Sequence, residues 1–237
     1  MDAFLTAAQK RLKQTVRDFF READGPADAV SGADRLGRFV REEGDPRPGY
    51  AGDALLGRLD ENGFGGLFGR KEGPGCRLAS SFEAALALEE IAAASPALAL
   101  TFAEPRGDVS ADRTGAAVAL AETARLLGTS AFILRACYRA ARAKGLFEST
   151  LMACSEGQQG LADALVALDA CRLRAYRAFV LACGPAPGSG ESELVRLLPE
   201  VHEAAAAARA LGAAHLGEDW CRAHIPPGPP AHERKAT

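Results

Sequence analysis

Carboxylates and histidines are the side chains of this chain that could carry proton chemistry. Glu89 and Glu90 stand side by side in an otherwise apolar helical segment. One of them could face inward and act as a general base, which must lie within hydrogen-bond reach of the proton that it takes. The favoured interpretation is a solvated helix face, because carboxylates are rarely buried unless they are paired.

His215 and His224 lie near Glu218 and Asp219 and could form an acid–base pair, since histidine changes charge near neutral pH. No motif fixes a partner for either histidine. The six cysteines are Cys76, Cys137, Cys154, Cys171, Cys183 and Cys221. They form no CxxC pair, and the four histidines have no ligand spacing to them. We therefore expect reduced, mostly buried thiols and no metal site.

The composition argues against several classes of protein. The 237 residues carry a formal net charge of −3, which gives no electrostatic reason to expect a nucleic-acid or membrane-surface partner. No uncharged apolar run approaches the roughly 18 to 20 residues that a membrane span needs. The N-terminal segment is charged within its first ten residues, unlike a secretory signal. We expect a cytoplasmic protein.

Apolar residues recur at helical spacing along most of the chain, and no window alternates as a strand does. The pattern predicts helices over 3–22, 80–95, 113–144, 155–183 and 192–216, and two short ones around 34–43 and 55–62. The first of them has a charged face that carries Lys10, Lys13, Arg17 and Arg21. Ser80 and Glu83 form a capping-box pattern that opens the second. The long later helices indicate a bundle, so the sequence predicts an all-α fold.

Four short elements in the second half of the chain keep a fixed spacing. They are Leu127-Gly128, Lys144-Gly145-Leu146-Phe147, Leu161-Ala162-Asp163 and Arg172. This ungapped set resembles the C-terminal helical domain of acyl-CoA dehydrogenases. Asp163 and Arg172 are expected to form polar contacts within the bundle, because buried charges must be paired.

The first half of the chain agrees with this resemblance. Residues 59–67 and 72–75 are similar to two glycine-containing segments of the family, and residues 86–92 to the helix that follows them. Residues 101–108 are similar to the strand that opens the family's middle β-domain. The resemblance implies an N-terminal helical domain over 1–108, a C-terminal helical bundle over 109–216 and a flexible tail over 217–237.

Two features of the family are missing from this chain. Few residues separate Asp108 from the first bundle helix, so the middle β-domain is absent. Members of the family supply their catalytic glutamate from one of two positions. When this chain is aligned by the same spacing, Val118 and Lys235 occupy these two positions. The candidate carboxylates that remain are Glu90, and Glu233 close to Lys235.

The resemblance implies FAD as the cofactor, with Lys144, Phe147 and Gln158 as the candidate cofactor-binding residues. Lys144 stands where the family has an arginine, and lysine keeps the charge but loses the bidentate fork. Lys144 could equally be a cation that ends a helix, where the helix dipole favours it.

Three roles follow from the resemblance. The favoured one is a non-catalytic or half-site subunit that associates through its bundle, as a homodimer or as a hetero-oligomer with a full-length relative. The second is an enzyme that acts on an acyl thioester, bound to coenzyme A or to a carrier protein, by non-redox chemistry. The third is a conventional flavin-dependent dehydrogenase.

Overall fold

The structure, a computed structural model, describes residues 5–24, 82–103, 115–143, 145–146, 149–150, 155–182 and 188–225. Its elements are α1 (Ala7–Asp24), α2 (Phe82–Ala94), α3 (Pro96–Ala103), α4 (Gly115–Ala143), β1 (Gly145–Leu146), β2 (Ser149–Thr150), α5 (Ser155–Ala182), α6 (Gly188–Leu216) and α7 (Glu218–His224). The two strands form a minimal antiparallel hairpin between α4 and α5. The prediction of an all-α fold is confirmed.

The five longer predicted helices correspond to α1, α2, α4, α5 and α6, and the two short ones lie outside the described residues. A reciprocal capping box sets the start of α1: the Gln9 side chain accepts from the Thr6 N–H at 2.9 Å, and the Thr6 hydroxyl accepts from the Gln9 N–H at 3.3 Å. Ser80 and its predicted cap at the start of α2 lie outside the described residues. No helix formed by the described residues is long and apolar enough to cross a membrane.

Helix α4 is the centre of the described fold and packs against α2, α3, α5 and α6. Gly128 lets α4 approach α2 closely. A Cβ at this position would overlap the Glu89 carbonyl oxygen and would lie 2.6 Å from the Ala92 Cβ. Gly212 likewise lets α6 approach α4 closely, because a Cβ at Gly212 would lie 2.9 Å from Ile133. Small residues therefore set the spacing of the bundle.

One continuous core joins helices from both sides of the predicted boundary at 108/109. Leu86, Leu88 and Ile91 of α2 are fully buried, and they belong to the same cluster as the core residues of α4, α5 and α6. Phe82 packs edge-on against Phe179 of α5, with ring centroids 6.0 Å apart. Helix α2 is thus surrounded by other helices, and this determines the environment of the two glutamates that it carries.

Helices α3 and α7 correct two expectations, those of a strand at residues 101–108 and of a flexible tail from residue 217. Residues 101–103 end α3 instead of opening a strand, and residues 104–108 lie outside the described part. Ser95 caps this helix by accepting the Leu98 N–H at 3.4 Å, and Pro96 occupies its first position, which suits a residue without an N–H.

The start of the predicted flexible tail forms α7 instead. Gly217 turns the chain with a φ of 93°, a left-handed conformation that glycine adopts readily. Trp220 then stacks on Phe132 of α4 with ring centroids 5.7 Å apart, and Ile225 is buried. Burial of these apolar side chains holds the segment in place. Residues 226–237 lie outside the described part.

Candidate functional site

Side chains from α1, α2 and α5 meet around two buried glutamates, and we call this group the buried charge cluster. Its members are Lys13, Arg17, Glu89, Glu90, Asp169, Arg172 and Tyr176. Lys13 and Arg17 are four residues apart on α1, as Arg172 and Tyr176 are on α5, so each pair lies on one face of its helix.

Glu90 is held by two cations from α1. Arg17 donates to both of its carboxylate oxygens, from Nε to Oε2 at 2.8 Å and from Nη2 to Oε1 at 2.7 Å. Lys13 Nζ lies 3.1 Å from Oε1, and both side chains of this second pair are 4% exposed. The bidentate arrangement with arginine is the strongest form of such a contact.

Glu89 is held from the other side, by α5. Arg172 Nε donates to Oε1 at 2.6 Å, and the Tyr176 hydroxyl donates to Oε2 at 2.6 Å. The same hydroxyl accepts from Lys13 Nζ at 2.5 Å. Asp169 accepts from Arg172 Nη1 at 2.8 Å. Tyr176 and Lys13 therefore connect the two carboxylates into one network.

Three groups of the cluster have pKa values that depart from their ordinary ones. Burial raises the pKa of Glu90, but its contacts with Arg17 and Lys13 outweigh burial and leave the pKa below its ordinary value. Burial also lowers the pKa of Arg172, but Glu89, Tyr176 and Asp169 together outweigh burial and leave this pKa above its ordinary value. Burial, followed by Glu89, raises the pKa of Tyr176 far above its ordinary value. An ionised Glu90 with a lowered pKa is a weak base at neutral pH.

The solvated-face interpretation of Glu89 and Glu90 is wrong, since their exposed fractions are 2% and 4%. Lys13, expected on the charged outer face of α1, is also buried. The physical reason is that α2 is covered by helices on several sides, and each carboxylate finds a cationic partner there. Those partners are distant in sequence, so local patterns could not reveal them.

A cavity of about 140 Å³ adjoins the cluster where α1, α2, α4 and α5 meet. The charged residues that line it are Lys13, Arg17, Arg135, Arg172, Glu89 and Glu90. Four cations thus face two carboxylates, and we call this space the cationic cavity. Arg135 of α4 stands at its rim, where its Nη1 makes a long hydrogen bond of 3.5 Å to the Ala93 carbonyl.

Of the predicted site residues, the structure brings Glu90 and its neighbour Glu89 into this arrangement. Gln158 is exposed near the start of α5, and Val118 is exposed on α4. Lys144, Phe147, Glu233 and Lys235 lie outside the described residues. Two of the three candidate cofactor-binding residues thus lie outside the described part, so the flavin site stays a prediction.

The other candidate groups have structural contacts. The His224 ring stacks on Trp220, and its Nδ1 lies 2.9 Å from the Trp220 carbonyl. Glu218 and Asp219 pair with Arg222, and neither forms an ion pair with a histidine of the described residues. The expectation of polar contacts within the bundle is confirmed for Arg172, which pairs with Glu89 and Asp169, whereas Asp163 is exposed.

The described cysteines behave as core residues. Cys137 and Cys171 are buried, and burial raises the pKa of the Cys137 thiol to about 11. A thiol with a raised pKa is a poor nucleophile. Within the described ranges, no group of histidine, cysteine and carboxylate side chains could hold a metal ion.

Lys13, Tyr176 and Arg135 are the site residues that sequence reasoning missed. The spacing of Lys13 to Arg17 and of Arg172 to Tyr176 is compatible with a shared helix face, but many exposed pairs have the same spacing. Comparison of the chain with protein-family models, with curated proteins and with solved structures found no match.

Proposed function

We propose that this chain is a non-catalytic helical subunit that associates with a second copy of itself through the exposed face of α5. The observation that carries the proposal is an apolar stripe on this helix. Val166, Leu173 and Val180 follow one another at intervals of seven residues, and their exposed fractions are 69%, 39% and 53%. We call these three residues the α5 stripe. Large aliphatic side chains in one exposed row favour a protein contact.

The interval of seven residues is typical of helices that pack along a shared seam. Leu165 and Leu181 are also exposed and flank the stripe at its two ends. Helix α5 has 28 residues and therefore runs for about 42 Å, which is long enough to pack against another helix along the whole stripe.

The sequence around Leu173 is symmetric in a way that suits an antiparallel pair. Val166 and Val180 are each seven residues from Leu173, and Asp169 and Arg177 are each four residues from it. In an antiparallel dimer centred on Leu173, the two valines would face each other and each Asp169 would face an Arg177 of the second copy. A two-fold axis needs such a self-complementary surface.

The state of Glu90 supports a non-catalytic role. Arg17 and Lys13 keep it paired and ionised, and the neighbouring candidate Glu89 is paired with Arg172. Membership of the acyl-CoA dehydrogenase family stays part of the proposal and rests on the motif spacing. A flavin absorbance band in the purified protein would support the dehydrogenase role at the expense of the non-catalytic one.

Sedimentation velocity over a range of protein concentrations tests the association. We expect a dimer for the native chain and at least about a tenfold weaker dimer for Val166→Glu, because the charge would be desolvated in the seam. Val195→Glu is the matched control: Val195 is 57% exposed but lies on α6, outside the stripe. A native chain that stays monomeric, or equal weakening by both variants, would contradict the proposal.

A second variant tests the antiparallel alignment. Arg177→Glu would place a carboxylate opposite the Asp169 of the second copy, so we expect weaker association that recovers in part at high salt. An unchanged dimer would contradict the alignment. Recovery of a longer relative as the sole partner from the native host would favour the hetero-oligomer instead of the second copy.

A further inference from the structure

The outer face of α4 carries three arginines and a tyrosine over its last turns. The four residues are Arg135, Tyr138, Arg139 and Arg142. Their spacing of i, i+3, i+4 and i+7 places them on one face of the helix. All four are exposed, and the residues between them are buried or half-buried in the bundle. We call these four residues the arginine stripe.

The stripe contains no carboxylate of its own. Residues 131–143 of α4 include neither aspartate nor glutamate. In the part of the chain that the structure describes, none of Arg135, Arg139 and Arg142 forms an ion pair with a carboxylate. Arg135 makes one long hydrogen bond of 3.5 Å, to the Ala93 carbonyl. Because a guanidinium has five N–H donors, the stripe keeps donors for a partner.

Neighbouring arginines of this surface act on one another. Burial lowers the pKa of Arg135, Glu90 raises it, and nearby arginines, Arg139 among them, lower it further. Glu90 already pairs with Arg17 inside the cluster, so it is not available to the outer face. A carboxylate that approached from outside would therefore reduce the repulsion between like charges.

The side chains of the stripe are of the kinds that protein interfaces favour. Arginine and tyrosine are enriched in interfaces, and they are frequent among the residues that dominate binding energy. Arg142 lies over the Tyr138 ring, with its guanidinium carbon 5.6 Å from the ring centroid. Two side chains that already contact each other have less freedom to lose on binding. Tyr138 is still 43% exposed, which leaves ring area for a partner.

We propose that the arginine stripe binds an acidic helical segment of a partner protein. Arg135 and Arg142 are seven residues apart, which is about 10.5 Å along the helix axis. Carboxylates at intervals of three and four residues on a second helix repeat with the same spacing, so each can meet one guanidinium. The contact between arginine and carboxylate is charge-assisted and can be bidentate, which makes it stronger than a neutral hydrogen bond.

A polynucleotide fits this surface less well than an acidic helix does. Proteins that bind the phosphate backbone typically present a larger patch on a strongly basic domain. The stripe has three arginines, and the whole chain has a formal net charge of −3. The stripe lies on α4 and shares no residue with the α5 stripe, so the two proposals can fail independently.

Fluorescence anisotropy of a labelled peptide titrated with the full chain tests the proposal. The peptide is an alanine-based helix that carries three glutamates at intervals of three and four residues. We expect saturable binding that weakens as sodium chloride is added, because salt screens charges at a surface. The same peptide with glutamines in place of the glutamates should bind at least about tenfold more weakly, since neutral hydrogen bonds are the weaker ones.

Arg139→Glu locates the binding surface, because it reverses the charge in the middle of the stripe. The new carboxylate would lie one turn from Arg135 and from Arg142, so the helix should still form. We expect at least about a tenfold loss of peptide affinity, since like charges that face each other across an interface are costly. Arg196→Glu is the matched control: it makes the same change of charge at an exposed position of α6 and should bind as the native chain does.

Tyr138→Ala separates a specific surface from a general attraction between charges. It leaves every arginine in place and should still weaken peptide binding at least about tenfold, because tyrosines are frequent among the residues that dominate binding. Absence of saturable binding, equal affinity for the glutamine peptide, unchanged affinity in Tyr138→Ala, or equal losses in Arg139→Glu and Arg196→Glu would each overturn the proposal.

Two further outcomes would assign the stripe to another occupant and so overturn the proposal. One is tighter binding of a labelled single-stranded oligonucleotide than of the peptide, lost in Arg139→Glu, which would point to nucleic acid. The other is a dimer that weakens in Arg139→Glu during sedimentation, which would point to a second copy of this chain.

Discussion

The buried charge cluster and the ion pairs of α7 contain the same kinds of side chain in opposite surroundings. Arg172 and Glu89 are 16% and 3% exposed, whereas Arg222 and Glu218 are 72% and 79% exposed. An exposed pair contributes about 0–1 kcal/mol, because water screens it and both side chains lose freedom. A buried pair has lost its hydration, so each partner depends on the other.

The two regions also differ in what they connect. The α7 pairs join residues three or four positions apart within one helix. The cluster joins α2 to α1 and to α5 across 73 and 83 residues of sequence. Of these two regions, the cluster is therefore the one that can fix how helices are placed against one another.

The largest effect is expected for Glu89→Ala. Without this carboxylate, Arg172 keeps only Asp169 as an ion-pair partner, and the buried Tyr176 hydroxyl loses its hydrogen-bond acceptor. We expect a loss of about 3–5 kcal/mol in the free energy of unfolding, measured by urea denaturation. The control, Glu218→Ala on α7, should change it by no more than about 0.5 kcal/mol. Similar losses in both variants would remove the distinction between the two regions.

Gly128→Ala should have the next largest effect, because it acts on the placement of α2. The added methyl group would overlap the carbonyl of Glu89 and would push α2 away from α4. We expect destabilisation by about 1–3 kcal/mol. At Gly160 on α5 the added Cβ would meet only Leu211, at 3.8 Å. Gly160→Ala should therefore stabilise the helix by about 0.5–1 kcal/mol. If Gly160→Ala also destabilised the protein, close packing of α2 on α4 would not explain the effect of Gly128→Ala.

The pH dependence of stability should give the smallest difference. The pKa of Glu90 lies below its ordinary 4.5 in the folded protein, so the unfolded chain takes up the proton first as the pH falls. Its contribution is complete above that ordinary value and is lost as the pH falls through the folded-state pKa. Glu90→Gln should thus show a shallower loss of stability in acid than the native chain.

Denaturation at a series of pH values between neutral and acid measures this difference. Glu218→Gln, in the exposed pair of α7, should keep the native profile. If Glu90→Gln also kept it, the charge on Glu90 would not contribute to stability in the way that the cluster implies.

Much of the helical architecture could be predicted from local patterns. The stripe that ends in Val16, Phe19 and Phe20 predicts α1, and its capping residues Thr6 and Gln9 are adjacent in sequence to the helix that they start. Helix α7 was missed, because its stability comes from Trp220 packing on Phe132, a contact between distant parts of the chain. Propensity alone gives a segment of this length little helical stability.

The sequence by itself determined the helical class, the main helices, and the presence of paired glutamates on an apolar segment, because periodicity and composition are local properties. Only the tertiary structure decided that Glu89 and Glu90 are buried and ionically paired, and that Arg135 stands at a cavity beside them. The reason is physical: a charge is tolerated inside a protein according to which partners surround it, and here those partners arrive from α1 and α5.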